Sequence, residues 1–208
     1  MIHIILKNSD IDKAIHKSVS ALEDGGVIAY PTETFYGLGV KFDKHNSLKR
    51  LYALKKRPGE KAMPLIIGGI DMLQQIALDD WLRHMPAQAK ALMERFWPGP
   101  LTLLIPAKKE LSEYLTAGTG KVAVRVPGDS FALHLAQRAG FPFTATSANI
   151  SGMPPADNAD SVIKYFRDGI DLLIDGGKTS GGLPSTIVDV SDDKLRIVRK
   201  GAANVNIL

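Results

Sequence analysis

The stretch VIAYPTETFYGLG (residues 27–39) decides the fold, because an apolar strand in it runs directly into a cluster of polar side chains. VIAYP is typical of a buried strand, whereas PTETFYGLG packs two threonines, a glutamate, a tyrosine and two glycines into nine residues. Turns alone rarely need this much hydrogen-bonding capacity. Ligands bind at strand ends in open α/β sheets, so the stretch predicts such a sheet with a polar site at this strand end.

Predicted strands and helices alternate on both sides of this stretch. A helix capped by Ser9 or Asp10 carries apolar residues at helical spacing up to Leu22 and ends at Gly25. Further strands are indicated by the runs MPLIIG, LTLLIP, VAVRVP, FPFTAT, DLLIDGG, STIVDV and LRIVRK. The alternation predicts one open, twisted, mixed sheet flanked by helices on both faces. WPGP (97–100) is too short and too apolar for a linker, so we expect a single domain over residues 1–208.

The composition excludes several classes of protein. The 208 residues include no cysteine, which removes disulfides, thiolate zinc sites and cysteine nucleophiles, and is compatible with a reducing compartment. The N-terminal MIHIILKNSD is too short and wrongly flanked for a signal peptide. No apolar run approaches the roughly 18 residues that cross a bilayer. We therefore expect a cytoplasmic protein without a membrane partner.

The formal net charge of +4 is small, but the cations are concentrated in one segment. A single acid, Glu60, accompanies Lys49, Arg50, Lys55, Lys56, Arg57 and Lys61. Such a cluster favours anionic partners. Lys55 and Arg57 stand where Pro58 ends a helix, and a lysine with an arginine suits the phosphates of a nucleotide. The alternative is that these cations only stabilise the helix dipole.

Familiar cofactor and catalytic motifs are absent. Gly177, Lys178 and Thr179 form half of a P-loop, but Leu172 replaces the required earlier glycine, so we interpret this segment as a glycine-rich turn. Neither G-x-G-x-x-G nor G-x-S-x-G occurs, and the five histidines lack the spacing of zinc ligands. The acidic pairs in EDGG, LDDW and SDDK are typical of caps and turns. We therefore predict no protein-held metal.

Three further segments repeat the pattern of a strand that ends in hydroxyls, amides or cations. They are FTATSANISG (143–152), VAVRVP (122–127) with Arg125 inside it, and PSTIVDV (184–190). Because strand ends are where ligands bind, we expect one polar pocket formed by Thr32, Thr34, Thr146, Ser147, Asn149 and Ser185. For any one segment, the alternative is that its hydroxyls merely cap the next helix.

Six blocks of the chain resemble, in order, those of the YrdC-like family: PTETFYGLG, KKRPGEKAMPL, WPGPLT, VAVRVP, TSANISG and PSTIVDV. TSANISG together with the K-x-R-P pattern is the most specific part of the resemblance. The family implies a YrdC-like fold with a concave basic cleft. It also implies a nucleotidyltransferase, L-threonylcarbamoyladenylate synthase, which forms threonylcarbamoyl-AMP and pyrophosphate from L-threonine, bicarbonate and ATP.

The same resemblance implies roles for nine residues. The residues expected to contact ATP are Lys55, Arg57, Lys61, Ser147, Asn149 and Arg199, and Lys55 and Arg57 are the expected catalytic residues. Those expected to bind threonine are Thr32, Arg125 and Ser185, with Arg125 on the carboxylate. Positioning and cations supply most of the catalysis of phosphoryl chemistry, and Mg²⁺ held by the triphosphate needs no protein cage.

The implied product feeds the threonylcarbamoyladenosine (t6A) modification of tRNA. The expected partners are therefore the t6A-forming proteins that receive it and, transiently, tRNA. The chain departs from the family at Gly68, where many members carry a histidine, and it resembles the short members that include the YciO branch. The alternatives are a YciO-like enzyme or hydrolase acting on the acyl-adenylate, and a non-catalytic protein that binds double-stranded RNA or tRNA.

Overall fold

The computed structural model describes residues 1–6, 10–59, 61–192 and 194–205, so Ser9 and Glu60 of the sequence interpretation lie outside the described residues. The strands of this part of the chain are β1 (Ile2–Ile5), β2 (Ile28–Pro31), β3 (Tyr36–Gly39), β4 (Leu65–Ile66), β5 (Leu101–Pro106), β6 (Lys121–Arg125), β7 (Phe143–Thr144), β8 (Thr146–Ser147), β9 (Leu172–Asp175), β10 (Thr186–Asp189) and β11 (Arg196–Arg199). Its α-helices are α1 (Ile11–Glu23), α2 (His45–Leu54), α3 (Asp79–Arg83), α4 (Ala87–Phe96), α5 (Glu113–Thr116), α6 (Phe131–Ala139) and α7 (Ala159–Phe166).

The strands divide between two sheets. The first has the order β1-β9-β2-β3-β8, in which β9 pairs in parallel with β1 and β2 while β3 pairs antiparallel with β2 and β8. The second has the order β11-β10-β5-β6-β4-β7, in which β10–β5 and β4–β6 are parallel and the other pairs antiparallel. The prediction of a mixed α/β fold flanked by helices is confirmed. The strands nevertheless form two sheets where the sequence predicted one.

The run FPFTAT, predicted as one strand, is where the chain passes from one sheet to the other. Phe143 and Thr144 form β7 in the second sheet, whereas Thr146 and Ser147 form β8 in the first. Ala145 between them donates its N–H to the carbonyl oxygen of Pro64 at 2.9 Å. Strands of two residues leave no periodic pattern, so this break was not visible in the sequence. The crossing places the TSAN segment at the junction of the sheets.

Tyr30 in β2 ties the two sheets together. Its side chain is fully buried, and its hydroxyl donates a hydrogen bond to the carbonyl oxygen of Thr144 in β7 at 2.9 Å. Its ring packs edge-on against Phe143 with the centroids 5.7 Å apart. Gly37 and Gly39 make room for the ring, since a Cβ at Gly39 would lie 2.9 Å from Tyr30 Cε1. The glycines of PTETFYGLG therefore serve the packing between the sheets.

The helix α1 covers the first sheet together with α6. It begins after Asp10 as predicted, although the Asp10 side chain makes no capping hydrogen bond, and it ends at Glu23, two residues before the predicted stop at Gly25. Gly25 has a φ of +81°, a left-handed conformation that glycine adopts without steric cost. Ala14, Ile15 and Leu22 are buried in a hydrophobic cluster shared with α6 and β2. Among the described helices, none combines the length and the apolar character that a membrane span requires.

Candidate active site

A cavity of about 290 Å³ lies between the two sheets, and its wall is drawn from both. Six of the nine residues predicted to bind ATP or threonine line it: Thr32, Arg57, Arg125, Ser147, Ser185 and Arg199. Thr34 and Thr146, which were expected in the same pocket, also line it. Lys55, Lys61 and Asn149 are not among the residues of its wall.

The threonines of PTET shape the turn between β2 and β3. The Thr32 hydroxyl donates a hydrogen bond to the carbonyl oxygen of Phe35 at 2.7 Å and accepts one from the N–H of Thr34 at 3.2 Å. The Thr32 and Thr34 hydroxyl oxygens are 3.4 Å apart, and both residues face the cavity. The hydroxyls of this segment therefore close a tight turn and present polar atoms to the cavity at the same time.

Lys55 lies beneath the loop that follows β8. It is 1% exposed, and its ammonium donates hydrogen bonds to the backbone carbonyls of Ser147 and Asn149, the second at 2.8 Å. Burial, and secondarily the charge of Arg57, lower the pKa of Lys55 to about 7. Lys55 thus contacts the residues that the sequence placed with it, mainly through their backbone, and its ammonium also lies 3.5 Å from Asn149 Oδ1.

Ser147 and Asn149 form a small network within the same loop. The Ser147 hydroxyl donates a hydrogen bond to Asn149 Oδ1 at 2.6 Å, and the Asn149 amide donates to the carbonyl oxygen of Met153 at 2.6 Å. Ser147 is exposed and lines the cavity, whereas Asn149 uses its side chain to hold the loop. The S-x-N pair therefore presents one hydroxyl, and the amide fixes its position.

Arg57 reaches the cavity from the end of α2. Its Nε and Nη2 donate hydrogen bonds to the carbonyl oxygens of Lys61 and Ala62 at 2.8 and 2.7 Å, and its Nη1 lies 3.5 Å from the Thr146 hydroxyl. Burial is the largest influence on its pKa and lowers it. Lys61 itself is exposed. Arg57 therefore shapes the backbone after α2 while its guanidinium remains on the cavity wall.

Arg199 lines another part of the cavity wall, where it belongs to a chain of polar contacts with Ser185 and Thr102. Its Nε and Nη2 donate hydrogen bonds to the carbonyl oxygen of Ser185 at 3.1 and 2.8 Å, and Nη2 also donates to the Ser185 hydroxyl at 3.1 Å. That hydroxyl is 2.8 Å from the hydroxyl of Thr102. Burial first, and the charge of Arg125 second, lower the pKa of Arg199. Thr102 was not expected in the site, although the block WPGPLT contains it.

Arg125 pairs with a residue that the sequence interpretation did not single out. Its Nη1 lies 2.5 Å from Glu33 Oε1, in a pair whose side chains are 13% and 22% exposed. Glu33 stands between the two threonines of PTET, and that position was the available signal. Of the three arginines on the cavity wall, only Arg125 contacts a carboxylate within the described residues.

The cationic segment between Lys49 and Lys61 does not form one face. Arg50 makes a two-point ion pair with Asp171, at 2.7 and 3.1 Å, on the exposed side of α2. Lys55 is buried and Arg57 lines the cavity, while Lys49, Lys56 and Lys61 remain exposed. The cations that the sequence concentrates in this segment are thus divided among three environments.

The segment after β9 is an irregular connection to β10, as the sequence interpretation expected. A P-loop leads from a strand into a helix, whereas residues 176–185 contain no helix. The carbonyl oxygen of Gly177 accepts a hydrogen bond from the Tyr36 hydroxyl at 2.7 Å. In the part of the chain that the structure describes, no group of three or more His, Cys, Asp or Glu side chains is arranged to hold a metal ion.

Gly68, the position where many members of the resembled family carry a histidine, has no room for a side chain. A Cβ at Gly68 would lie 2.6 Å from both the Cα and the backbone N of Gln137 in α6. Contacts this short with a helix backbone can be relieved only if the helix moves. The absence of a histidine at this position therefore follows from the close packing of α6.

The fold and the cavity define an α/β protein with a hydroxyl-rich, arginine-lined ligand site between two mixed sheets. A family profile described as "Telomere recombination" matches residues 20–201. The chain belongs to the Sua5/YciO/YrdC family, which confirms the resemblance found in the sequence.

Relatives with known names and structures can be compared directly. The chain is 39% identical over 191 residues to the threonylcarbamoyl-AMP synthase of Bacillus subtilis, a match that covers 91% of the chain and 54% of the relative. It therefore spans little more than half the length of that relative. The structure of Pyrococcus abyssi Sua5 complexed with L-threonine is similar, with a TM-score of 0.85 and 34% identity over 96% of this chain and 57% of that one. E. coli YciO matches with a TM-score of 0.82 and 26% identity over 98% and 96% of the two chains.

Proposed function

We propose that this chain is an L-threonylcarbamoyladenylate synthase, which forms threonylcarbamoyl-AMP and pyrophosphate from L-threonine, bicarbonate and ATP. The observation that carries the proposal is that six of the predicted residues, five from the named blocks and Arg199 from the run LRIVRK, meet on one cavity between the sheets. The threonine complex of P. abyssi Sua5, a protein 34% identical to this chain, supports the choice of amino acid.

Threonine belongs, in this proposal, at the Arg125 end of the cavity. Glu33 is hydrogen-bonded to a single nitrogen of the Arg125 guanidinium, so the other nitrogens can receive the two oxygens of the substrate carboxylate. Thr32 and Ser185 add hydroxyls on the same cavity wall. Neutral hydroxyls can bind the hydroxyl and amine of threonine without repelling either substrate.

The reacting part of ATP belongs beside Arg57, Ser147 and Arg199. Each of these residues lines the cavity, and each arginine bonds only neutral oxygens within the described residues, so both retain their positive charge for phosphate. Lys55 acts indirectly in this scheme because it holds the backbone of the loop that carries Ser147. Asn149 holds the same loop through Met153, and exposed Lys61 is left to meet the outer phosphates.

The chemistry needs positioning and positive charge more than a general base. The threonine ammonium first loses a proton to solvent, and the neutral amine then bonds to the carbon of bicarbonate with loss of water. A carbamate oxygen next attacks the α-phosphorus of ATP while the bond between that phosphorus and the pyrophosphate oxygen breaks. The carbamate oxygen is already anionic, so this last step requires no proton removal. Arg57 would offset the charge on the non-bridging oxygens, which is the dominant requirement in phosphoryl chemistry.

Mg²⁺ completes the proposed reaction as a companion of the triphosphate, whose oxygens it prefers as ligands. The product would pass, in the cytoplasm, to the proteins that build t6A, with tRNA as a transient partner. The relative in B. subtilis, which is named a threonylcarbamoyl-AMP synthase, supports the identity of the product.

Pyrophosphate release tests the proposal. Purified protein is supplied with ATP, Mg²⁺ and bicarbonate, and release is followed with and without L-threonine. We expect release that depends on threonine and falls at least about 100-fold in Arg57→Ala, since a lost charge contact to a transition state costs several kcal/mol. Arg83→Ala, which removes a 68% exposed arginine on α3, is the matched control and should leave the rate unchanged. Absence of threonine-dependent release from the unaltered protein would refute the proposal.

A YciO-like activity on the finished acyl-adenylate is the second candidate, and Gly68 is the observation that favours it. The side chain expected at this position from the resemblance is excluded by α6, so one amino-acid contact is missing. The two candidates differ in which of two rates is higher. A synthase forms the intermediate from ATP faster than it consumes added intermediate. Faster consumption than formation would favour the second candidate.

A further inference from the structure

The ion pair between Arg125 and Glu33 uses only one of the two carboxylate oxygens of Glu33. Arg125 Nη1 contacts Glu33 Oε1 at 2.5 Å. Glu33 Oε2 is buried and has no hydrogen-bond partner in the described part of the chain. Arginine and carboxylate commonly meet through two parallel hydrogen bonds, so a one-point contact leaves part of the guanidinium unused. Glu33 therefore holds Arg125 in place without using all the N–H groups of its guanidinium.

Glu33 approaches Arg125 from outside the cavity. Thr32, Thr34 and Arg125 line the cavity between the sheets, whereas Glu33 is not part of that wall. It lines a neighbouring cavity of about 460 Å³ on the side of Ser130 and Lys178. The carboxylate thus supports Arg125 from behind and leaves the front of the guanidinium to a ligand.

The same pair makes the charge of the cavity uneven. Arg57 donates to backbone carbonyls, and Arg199 donates to the carbonyl and hydroxyl of Ser185. Neither of these arginines contacts a carboxylate within the described residues, whereas Arg125 does. The cavity wall therefore carries one arginine whose positive charge is offset by a carboxylate and two whose charges are not.

We propose that Glu33 is a positioning residue that acts through Arg125, and that its charge makes this end of the cavity select an amino-acid zwitterion over a multiply charged phosphate. A phosphate chain at Arg125 would be repelled by Glu33 more strongly than a single carboxylate, while an ammonium group would be attracted. The inference rests on the proposed function, because it explains how threonine and the triphosphate occupy different parts of one cavity. Glu33 would keep the triphosphate away from the amino-acid end.

Calorimetric titration tests this role on wild type, Glu33→Gln and Glu33→Asp. L-threonine is titrated with and without inorganic tripolyphosphate, and 3-hydroxybutyrate serves as the analogue that lacks the ammonium group. In wild type, we expect tripolyphosphate not to weaken threonine binding. In E33Q, we expect threonine to bind about tenfold more weakly, its advantage over 3-hydroxybutyrate to shrink, and tripolyphosphate to compete with it. E33D retains the charge and should keep the two ligands compatible.

Asp43→Asn is the matched control, since it removes a carboxylate that pairs with Lys41, and neither residue lines the cavity. Unchanged ligand selectivity in a folded E33Q protein would overturn the role of Glu33. If E33Q does not fold, E33D decides: competition by tripolyphosphate in that variant would overturn the role, and compatible binding would support it. Selective threonine binding without pyrophosphate release would overturn the proposed function alone. A wild-type protein that binds no threonine would overturn both.

Discussion

The ammonium group of Lys55 donates a hydrogen bond to the carbonyl oxygen of Asn149 at 2.8 Å, so a lysine at the end of α2 supports the loop after β8 from below. The same group also bonds the carbonyl of Ser147, the residue of this loop that lines the cavity. A residue expected to touch phosphate therefore holds in place another residue, Ser147, which faces the cavity.

Replacing Lys55 by methionine should weaken both the fold and the site. Two carbonyls would lose their donor in a buried environment, which costs about 1–3 kcal/mol. We expect urea denaturation to show a loss of that size and nucleotide binding to weaken because Ser147 is less well placed. Lys49→Met, on the exposed side of α2, is the control. Equal stability of the two variants would contradict the supporting role of Lys55.

The pKa of Lys55 predicts how stability changes with pH. Burial lowers this pKa from 10.5 to about 7, so above pH 7 the folded protein has released a proton that the unfolded chain still holds. Stability therefore rises with pH across this window, by up to about 1.4 kcal/mol per pH unit. We expect the free energy of unfolding of wild type to rise by about 2 kcal/mol relative to Lys55→Met between about pH 7 and about pH 9. Parallel pH profiles of the two proteins would show that the pKa of Lys55 is not lowered.

The tie between the sheets can be tested at Tyr30. Tyr30→Phe keeps the ring and removes the hydroxyl that donates to Thr144, which leaves a buried carbonyl without its partner. We expect a loss of about 1–2 kcal/mol in the free energy of unfolding. Tyr165→Phe removes a hydroxyl that donates to Pro154 at an exposed position, and should cost less. Equal losses in the two variants would contradict the importance of the cross-sheet contact.

Introducing a histidine at position 68 should destabilise the protein and should not improve threonine binding. Gly68→His would place a Cβ 2.6 Å from the backbone of Gln137, so α6 must shift, and overpacking of this kind costs about 1–3 kcal/mol or more. We expect lower thermal stability and no gain in threonine affinity. Gly59→His is the control, because a Cβ at Gly59 meets nothing within 4 Å. A stable variant with tighter threonine binding would show that α6 can make room for the side chain.

The sequence predicted most of the segments of the site, because each carries polar residues at the end of a recognisable strand. Arg125 in VAVRVP and Ser147 in TSANISG are examples, and both line the cavity. The sequence did not predict that Lys55 and Arg57 would occupy different environments. Lys55 is buried away from the cavity wall, whereas Arg57 lines the cavity. Lys56 between them has a φ of +48°, a left-handed conformation that is uncommon outside glycine, and the two side chains leave the chain in different directions.

The division into two sheets was also beyond the sequence. Local patterns report which residues are buried, but they do not report which strands pair across the chain. The single residue Ala145 separates β7 from β8, and no hydrophobic period changes there. Glu33 was missed for a related reason: its role depends on contact with Arg125, which is 92 residues away along the chain.

The central claim is that one cavity between the sheets holds threonine and the nucleotide together. Calorimetry of L-threonine binding, with and without a saturating ATP analogue that cannot release pyrophosphate, tests it most directly. We predict that the analogue lowers the Kd of threonine at least about fivefold, since ligands in contact stabilise one another. Arg125→Gln should abolish threonine binding and retain binding of the analogue. A threonine Kd that is the same with and without the analogue, and unaffected by Arg125→Gln, would contradict the account.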